Sequence, residues 1–160
     1  MVEYPYAMTS LALSHFQTDH PDAGRNVFVA MRLDPSPLRT RIHDLIRSSI
    51  ENRGLHAIRA DDRDYSGELW TNVKLCLDHC SLAIAVFDDD ERHVDNLAVE
   101  LGYLFARDVP CLIFRESRLG PPVAMLAHRL HTSFDALDLD GSLVPAVARW
   151  LDTQQNRTVA

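Results

Sequence analysis

From Asn26 onward the chain alternates short apolar runs with helical stripes, and this alternation constrains its fold more than any other feature. NVFVAM (26–31), LHAIRA (55–60), SLAIAVF (81–87) and PCLIF (110–114) read as strands. Between them, Leu38, Ile42, Leu45, Ile46 and Ser49 recur at helical spacing before Gly54, and Leu69, Val73, Cys76, Leu77 and Cys80 do so before the third strand. The stretch VDNLAVELGYLF (94–105) supplies the next helix. After the fourth strand, a Gly-Pro-Pro turn leads to a short helix and a fifth strand near Thr132 to Phe134, and Leu143 to Leu151 closes the domain as a helix. Continuous apolar strands separated by amphipathic helices predict a parallel sheet covered on both faces. Five such units with right-handed crossovers give a three-layer α/β fold of flavodoxin-like type, with a five-stranded, mainly parallel sheet.

A chain of 160 residues with 46% hydrophobic content suffices for one core and no second domain. Residues 1–25 carry no readable motif and are expected to be an N-terminal extension, either an ordered arm or an oligomer contact. Residues 26–152 form the domain and 153–160 a polar tail. The net charge of −7, with Lys74 the single lysine, excludes a nucleic-acid groove, which needs clustered cations. No apolar run reaches the ~20 residues of a membrane span, and the start lacks the basic and apolar regions of a signal peptide, so a cytoplasmic protein is expected. Cys76, Cys80 and Cys111 form no CxxC motif and read as core thiols; the eight histidines show no HxxxH or HxH spacing. No metal or cofactor is expected.

In open sheets of this type, ligands bind beyond the carboxyl ends of the strands. Those ends carry Arg32 and Asp34, Arg59 to Asp64, Asp88 to Asp90, and Arg115, and the VDNLAVELGY helix opens onto the same crevice. A phospho-accepting receiver would need an acidic pair after strand one and a lysine after strand five, and this chain has neither. The other chemistry suited to strand-end carboxylates is attack at a glycosidic carbon, where a carboxylate stabilises or captures an oxocarbenium ion. Glu100 is placed for it. Asn96, Glu100 and Tyr103 share one helical face at i, i+4 and i+7, and Gly102 beside them leaves room for a close approach. The competing role for Glu100 is to complement the helix dipole. Tyr65 is available to stack on a base, whereas Trp70 is expected to pack in the core.

VFVAMRLD, RADDRDYSGELWTNV, a strand ending in Asp, and NLAVELGYLFARDVP together resemble the nucleoside 2-deoxyribosyltransferase-like and bacterial TIR-like proteins over roughly Asn26 to Phe114. In that family an FVAMPF-type strand and an N-x-x-x-ELG-type helix frame a nucleotide site. The resemblance implies that Glu100 is the catalytic glutamate, that Asp88 contacts the sugar or the departing base, and that Met31 and Arg32 line the pocket floor. Two departures stand out: Arg32 replaces the usual proline, and the linker DDDERHVDN is longer and more acidic than usual, which leaves open whether Asp88, Asp89 or Asp90 faces the ligand.

Residues and resemblance agree on cleavage at an N-glycosidic bond. The sequence favours NAD as substrate, hydrolysed or cyclised with nicotinamide leaving, because Arg32, Arg59, Arg63 and Arg115 offer donors for a pyrophosphate and a cationic leaving group needs no acid. Asp64, Tyr65, Asn96 and Tyr103 complete the expected binding set. The alternatives are a nucleoside 2-deoxyribosyltransferase, or a module that binds a nucleotide signal and self-assembles without turnover. The resemblance further implies a homo-oligomer, a separate sensor protein or domain, and a place in bacterial antiphage defence.

Overall fold

The computed structural model describes residues 10–34, 36–88, 95–120 and 131–159. In chain order the elements are α1 (Ser10–Asp19), β1 (Asn26–Ala30), α2 (Pro37–Glu51), β2 (His56–Ile58), α3 (Leu69–Asp78), β3 (Leu82–Phe87), α4 (Asp95–Ala106), β4 (Cys111–Glu116), β5 (Thr132–Phe134) and α5 (Leu139–Val159). The sheet runs β2-β1-β3-β4-β5, all pairs parallel. This is the expected three-layer flavodoxin-like arrangement. The short helix expected after the Gly-Pro-Pro turn, and Asp89 and Asp90, lie outside the described residues.

Strand parity assigns each side chain to a layer. On one face Phe28, Ala30, Ala83, Ala85, Phe87 and Ile113 pack under α1, α3 and α4; on the other, Val27, Val29, Ile84, Val86, Leu112, Phe114 and Phe134 pack under α2 and α5. Burial on both faces is why these strands read as continuous apolar runs rather than alternating ones. Leu139, Leu143, Val147 and Leu151, four residues apart, give α5 its buried stripe.

Local chemistry sets the helix starts. Ser36 caps α2, accepting from the Arg39 N–H at 3.1 Å, and Pro37 follows at the first helical position, where its missing N–H costs nothing. Glu68 caps α3 through both carboxylate oxygens, to the Trp70 and Thr71 N–H groups. Two segments differ from expectation in form. Within residues 1–25, α1 lays the fully buried Phe16 and Ala12 into the core beneath α3. At the other end α5 starts before Leu143 and runs on through residues 153–159, where Gln155 donates to the Arg53 carbonyl at 3.2 Å. Pro145 does not stop α5: the hydrogen bond it cannot donate would go to Gly141, which is exposed.

Candidate active site

Three stretches of chain meet at the carboxyl end of β1 and enclose a cleft of about 610 Å³. The loop leaving β1 contributes Met31, Arg32, Leu33 and Asp34; the start of α3 contributes Glu68, Leu69, Trp70 and Val73; the first half of α4 contributes Asn96, Leu97, Val99 and Glu100. The site sits at the β1/β3 switch of strand order, where open α/β sheets bind ligands. Its volume is that of a small-molecule pocket.

Glu100 is the chemically distinctive member. It lies in the second turn of α4, past the reach of the helix dipole, which fades within the first turn. Leu97, Leu101 and Leu104 turn the helix's apolar stripe into the core and leave Glu100 on the flank that lines the cleft. Among the described residues no hydrogen bond or ion pair holds its carboxylate. Burial alone pushes the Glu100 carboxyl up to about 7. A carboxylate partly withdrawn from water, with no fixed partner among the described residues, gains most when a cation forms beside it.

The other charges at the site are mutually engaged. Arg32 is bidentate on Asp34 (2.9 and 3.1 Å), Arg39 of α2 donates to Asp34 at 2.6 Å, and Arg39 also meets Asp88 at 2.6 Å. Asp88 does not line the cleft; its side chain is 2% exposed. Strand parity explains this. Asp88 continues the register of Ile84 and Val86, which points toward α2, whereas Glu100 belongs to α4 on the opposite face.

Of the residues expected from the sequence, the structure brings Met31, Arg32, Asn96 and Glu100 together. It does not bring the rest to this cleft. Arg59 is bidentate on Asp61 of its own loop (2.5 and 2.7 Å). The Asp64 carboxylate accepts the Ser66 and Gly67 N–H groups and shapes the turn before α3. Tyr65 donates to Asp19 at 2.8 Å and lines a separate pocket. Tyr103 donates to Asp78 at 2.5 Å and stands edge-on to Trp70, so it backs the cleft wall without forming it. Arg115 donates to the Gly120 carbonyl at 2.6 Å, and Arg63 pairs with Asp19. A Cβ added at Gly102 would meet nothing within 4 Å, so no part of the described chain exploits the close approach expected there.

Trp70, partly buried and packed against the core as expected, also forms a wall of the cleft. Glu68 ends the preceding loop so abruptly that Leu69 and Trp70 fall in the first helical turn, at the crest of the sheet rather than beneath it. Leu33, Leu69 and Val99 rim the mouth and are all exposed. Cys76 and Cys80 are buried, and their thiols are pushed up to about 12, which makes them inert packing groups. Among the described residues no group of three or more His, Cys, Asp or Glu is arranged to hold a metal ion, and no helix is long and apolar enough to cross a membrane.

Fold and cleft together define an α/β domain with a strand-end carboxylate site. Among solved structures, the chain resembles a 2-deoxyribosyltransferase from Leishmania mexicana (15% identity, TM-score 0.54, covering 77% of this chain and 97% of that one). It also resembles a 2-deoxyribosyltransferase from the psychrotolerant bacterium Bacillus psychrosaccharolyticus (13% identity, TM-score 0.50, covering 76% and 95%). At these identities the likeness establishes a shared fold. No protein-family model and no curated protein matches the sequence.

Proposed function

We propose that the chain cleaves the N-glycosidic bond of a nucleoside and transfers or releases its 2-deoxyribosyl group, with Glu100 as the carboxylate that meets the anomeric carbon. The observation that carries this reading is Glu100, desolvated by burial and without a partner among the described residues, in a cleft of nucleoside size. As the base departs with the bonding electron pair, positive charge develops on the anomeric carbon and ring oxygen. Glu100 is then stabilised by its cationic neighbour or forms a bond to it. The mouth is open to solvent, from which a departing base can take its proton. The fold shared with two 2-deoxyribosyltransferases supports the same chemistry.

Charge favours a nucleoside over NAD. Among the described residues the cleft lining brings one guanidinium, Arg32, against the carboxyls of Asp34, Glu68 and Glu100, and Arg32 is already bidentate on Asp34. Of the four arginines expected to grip a pyrophosphate, Arg59, Arg63 and Arg115 are engaged elsewhere. A phosphate entering such a site would face net repulsion, whereas an uncharged nucleoside would not.

The test is to incubate the protein with 2′-deoxynucleosides, ribonucleosides and NAD, with and without a free acceptor base, and to identify the products by mass. Base exchange or release from deoxynucleosides, exceeding nicotinamide release, is expected. Nicotinamide release alone would restore the NAD reading, and binding without products would favour a signal-binding module.

A further inference from the structure

The cleft contains a second carboxylate fit for ligand contact, and it is not Asp88. We propose that Asp34 accepts a hydrogen bond from a hydroxyl of the bound nucleoside's sugar and so selects that sugar, with Arg32, Arg39 and Asp88 as the positioning groups behind it. The proposal rests on the glycosidic reading of the same cleft.

Exposure separates the two acids. Asp34 lines the cleft with its side chain 51% exposed, while Asp88 is 2% exposed against Arg39. Withdrawing Asp88 toward a ligand would strip a buried guanidinium of a partner, a costly change. Asp34 needs no such movement. Its Oδ1 accepts from Arg32 Nε at 2.9 Å, and its Oδ2 accepts from Arg32 Nη2 at 3.1 Å and from Arg39 Nη1 at 2.6 Å. Arg39 is itself only 9% exposed and anchored by Asp88, so the chain of contacts runs from the core to the cleft surface. Two guanidinium groups fix the carboxylate's direction before any ligand arrives, so a further hydrogen bond costs little ordering entropy.

The chemistry of the two walls says which part of a nucleoside Asp34 meets. The α3 wall offers Trp70, an aromatic surface suited to a planar base. The β1 wall offers Arg32 and Asp34, polar groups suited to a hydroxylated sugar. A carboxylate accepts hydrogen bonds and donates none, so it recognises a hydroxyl and rejects a phosphate in its place.

The experiment measures kcat and KM of wild type, Asp34→Asn and Asp34→Ala on a 2′-deoxynucleoside, on its 2′,3′-dideoxy and 2′,5′-dideoxy analogues, and on an analogue lacking the exocyclic amine of the base. Melting curves check that each variant folds, since Asp34 also pairs with the buried Arg39, and Asp34→Asn keeps an acceptor for that guanidinium where Asp34→Ala does not. Wild type is expected to lose about tenfold or more in KM on the analogue that lacks the contacted hydroxyl. In Asp34→Ala the parent's KM rises by a similar factor, kcat moves little, and the preference for parent over that analogue disappears. Asp34→Asn, which keeps the shape and an acceptor oxygen, should fall between. A uniform rise in KM for every substrate, or a lost preference for the base amine instead, overturns the role of Asp34 while leaving the glycosidic reading standing. Failure of wild type to turn over any nucleoside overturns both.

Discussion

Two pockets in this molecule gather the same kinds of charged residue, and the pairing of those residues differs. At the β2 edge, a pocket of about 420 Å³ collects Asp19, His20, Arg47, Asp62, Arg63 and Tyr65. There Arg63 pairs with Asp19 at 2.6 Å, Arg47 pairs with Asp62 at 2.9 Å, and Tyr65 donates to Asp19 while its hydroxyl sits 3.3 Å from His20. The network ties α1 to the loop before α3. At the β1 crest, the larger cleft pairs Arg32 with Asp34, while among the described residues no hydrogen bond or ion pair holds Glu100. Counting charges at strand ends would rank the two alike. What separates them is whether a charge withdrawn from water finds a partner in the described chain: paired groups hold parts of the chain together, and an unpaired one is available to a ligand.

The first way to test this contrast is at Asp88, which the structure places with the satisfied charges. Asp88→Ala takes an ion-pair partner from the buried Arg39 and is expected to cost about 3 to 5 kcal/mol in denaturant unfolding. A loss under 1 kcal/mol would mean that Asp88 is free to serve a ligand.

Glu100 should behave oppositely. Its folded-state pKa of about 7 lies above its ordinary 4.5, so the folded protein keeps the proton over a range where the unfolded chain releases it. The stability due to this proton is present below pH 4.5 and is lost as pH rises through 7. Gln does not titrate. Glu100→Gln should therefore match wild type near pH 4 and exceed it above pH 7, by on the order of 3 kcal/mol at most. A mutant less stable than wild type at pH 8 would show that the carboxylate has a partner.

Smaller effects sharpen the other side of the comparison. Tyr65→Phe removes the hydroxyl that meets Asp19 and should cost about 1 kcal/mol; a rise in nucleoside KM would return Tyr65 to the site. Chelation with EDTA is expected to change neither melting nor turnover, and activity restored by magnesium would revive phosphoryl chemistry.

The sheet and its strand order were legible because both faces are covered, which makes each strand an apolar run that no amphipathic helix resembles. Even the three-residue β5 was marked, by Phe134, which packs edge-on against Phe114. The ends of elements were less legible. The helix expected over Leu143 to Leu151 starts earlier, at Leu139, and Leu69, at helical spacing with the buried Val73, is exposed at the crest. Helical spacing brings Asn96 and Glu100 to one crevice, whereas Met31 and Arg32 are expected on its floor from the family resemblance. Of the acids after β3, Asp88 stands outside the cleft lining, and its parity with Ile84 and Val86 sends it toward α2. Tyr65, Arg59 and Asp64 are not readable, because loop side chains choose partners by tertiary contacts that no periodicity encodes, and Arg115, near the end of β4, turns to the Gly120 carbonyl of the loop that follows. Asn72 was missed for the same reason. It is buried in α3, donates to the Ala60 and Arg63 carbonyls at 2.6 and 2.7 Å and accepts from the Tyr65 N–H at 2.9 Å, fixing that loop.

The central claim is that Glu100 does chemistry rather than complementing its helix, and the most direct measurement is turnover of the best nucleoside substrate by Glu100→Gln. The substitution keeps size and removes the charge. The account predicts a protein that melts at or above the wild-type temperature at pH 7.5, yet has lost on the order of a hundredfold or more in kcat, which is ~3 kcal/mol of barrier. A Glu100→Gln protein that folds and releases the base at the wild-type rate would contradict it.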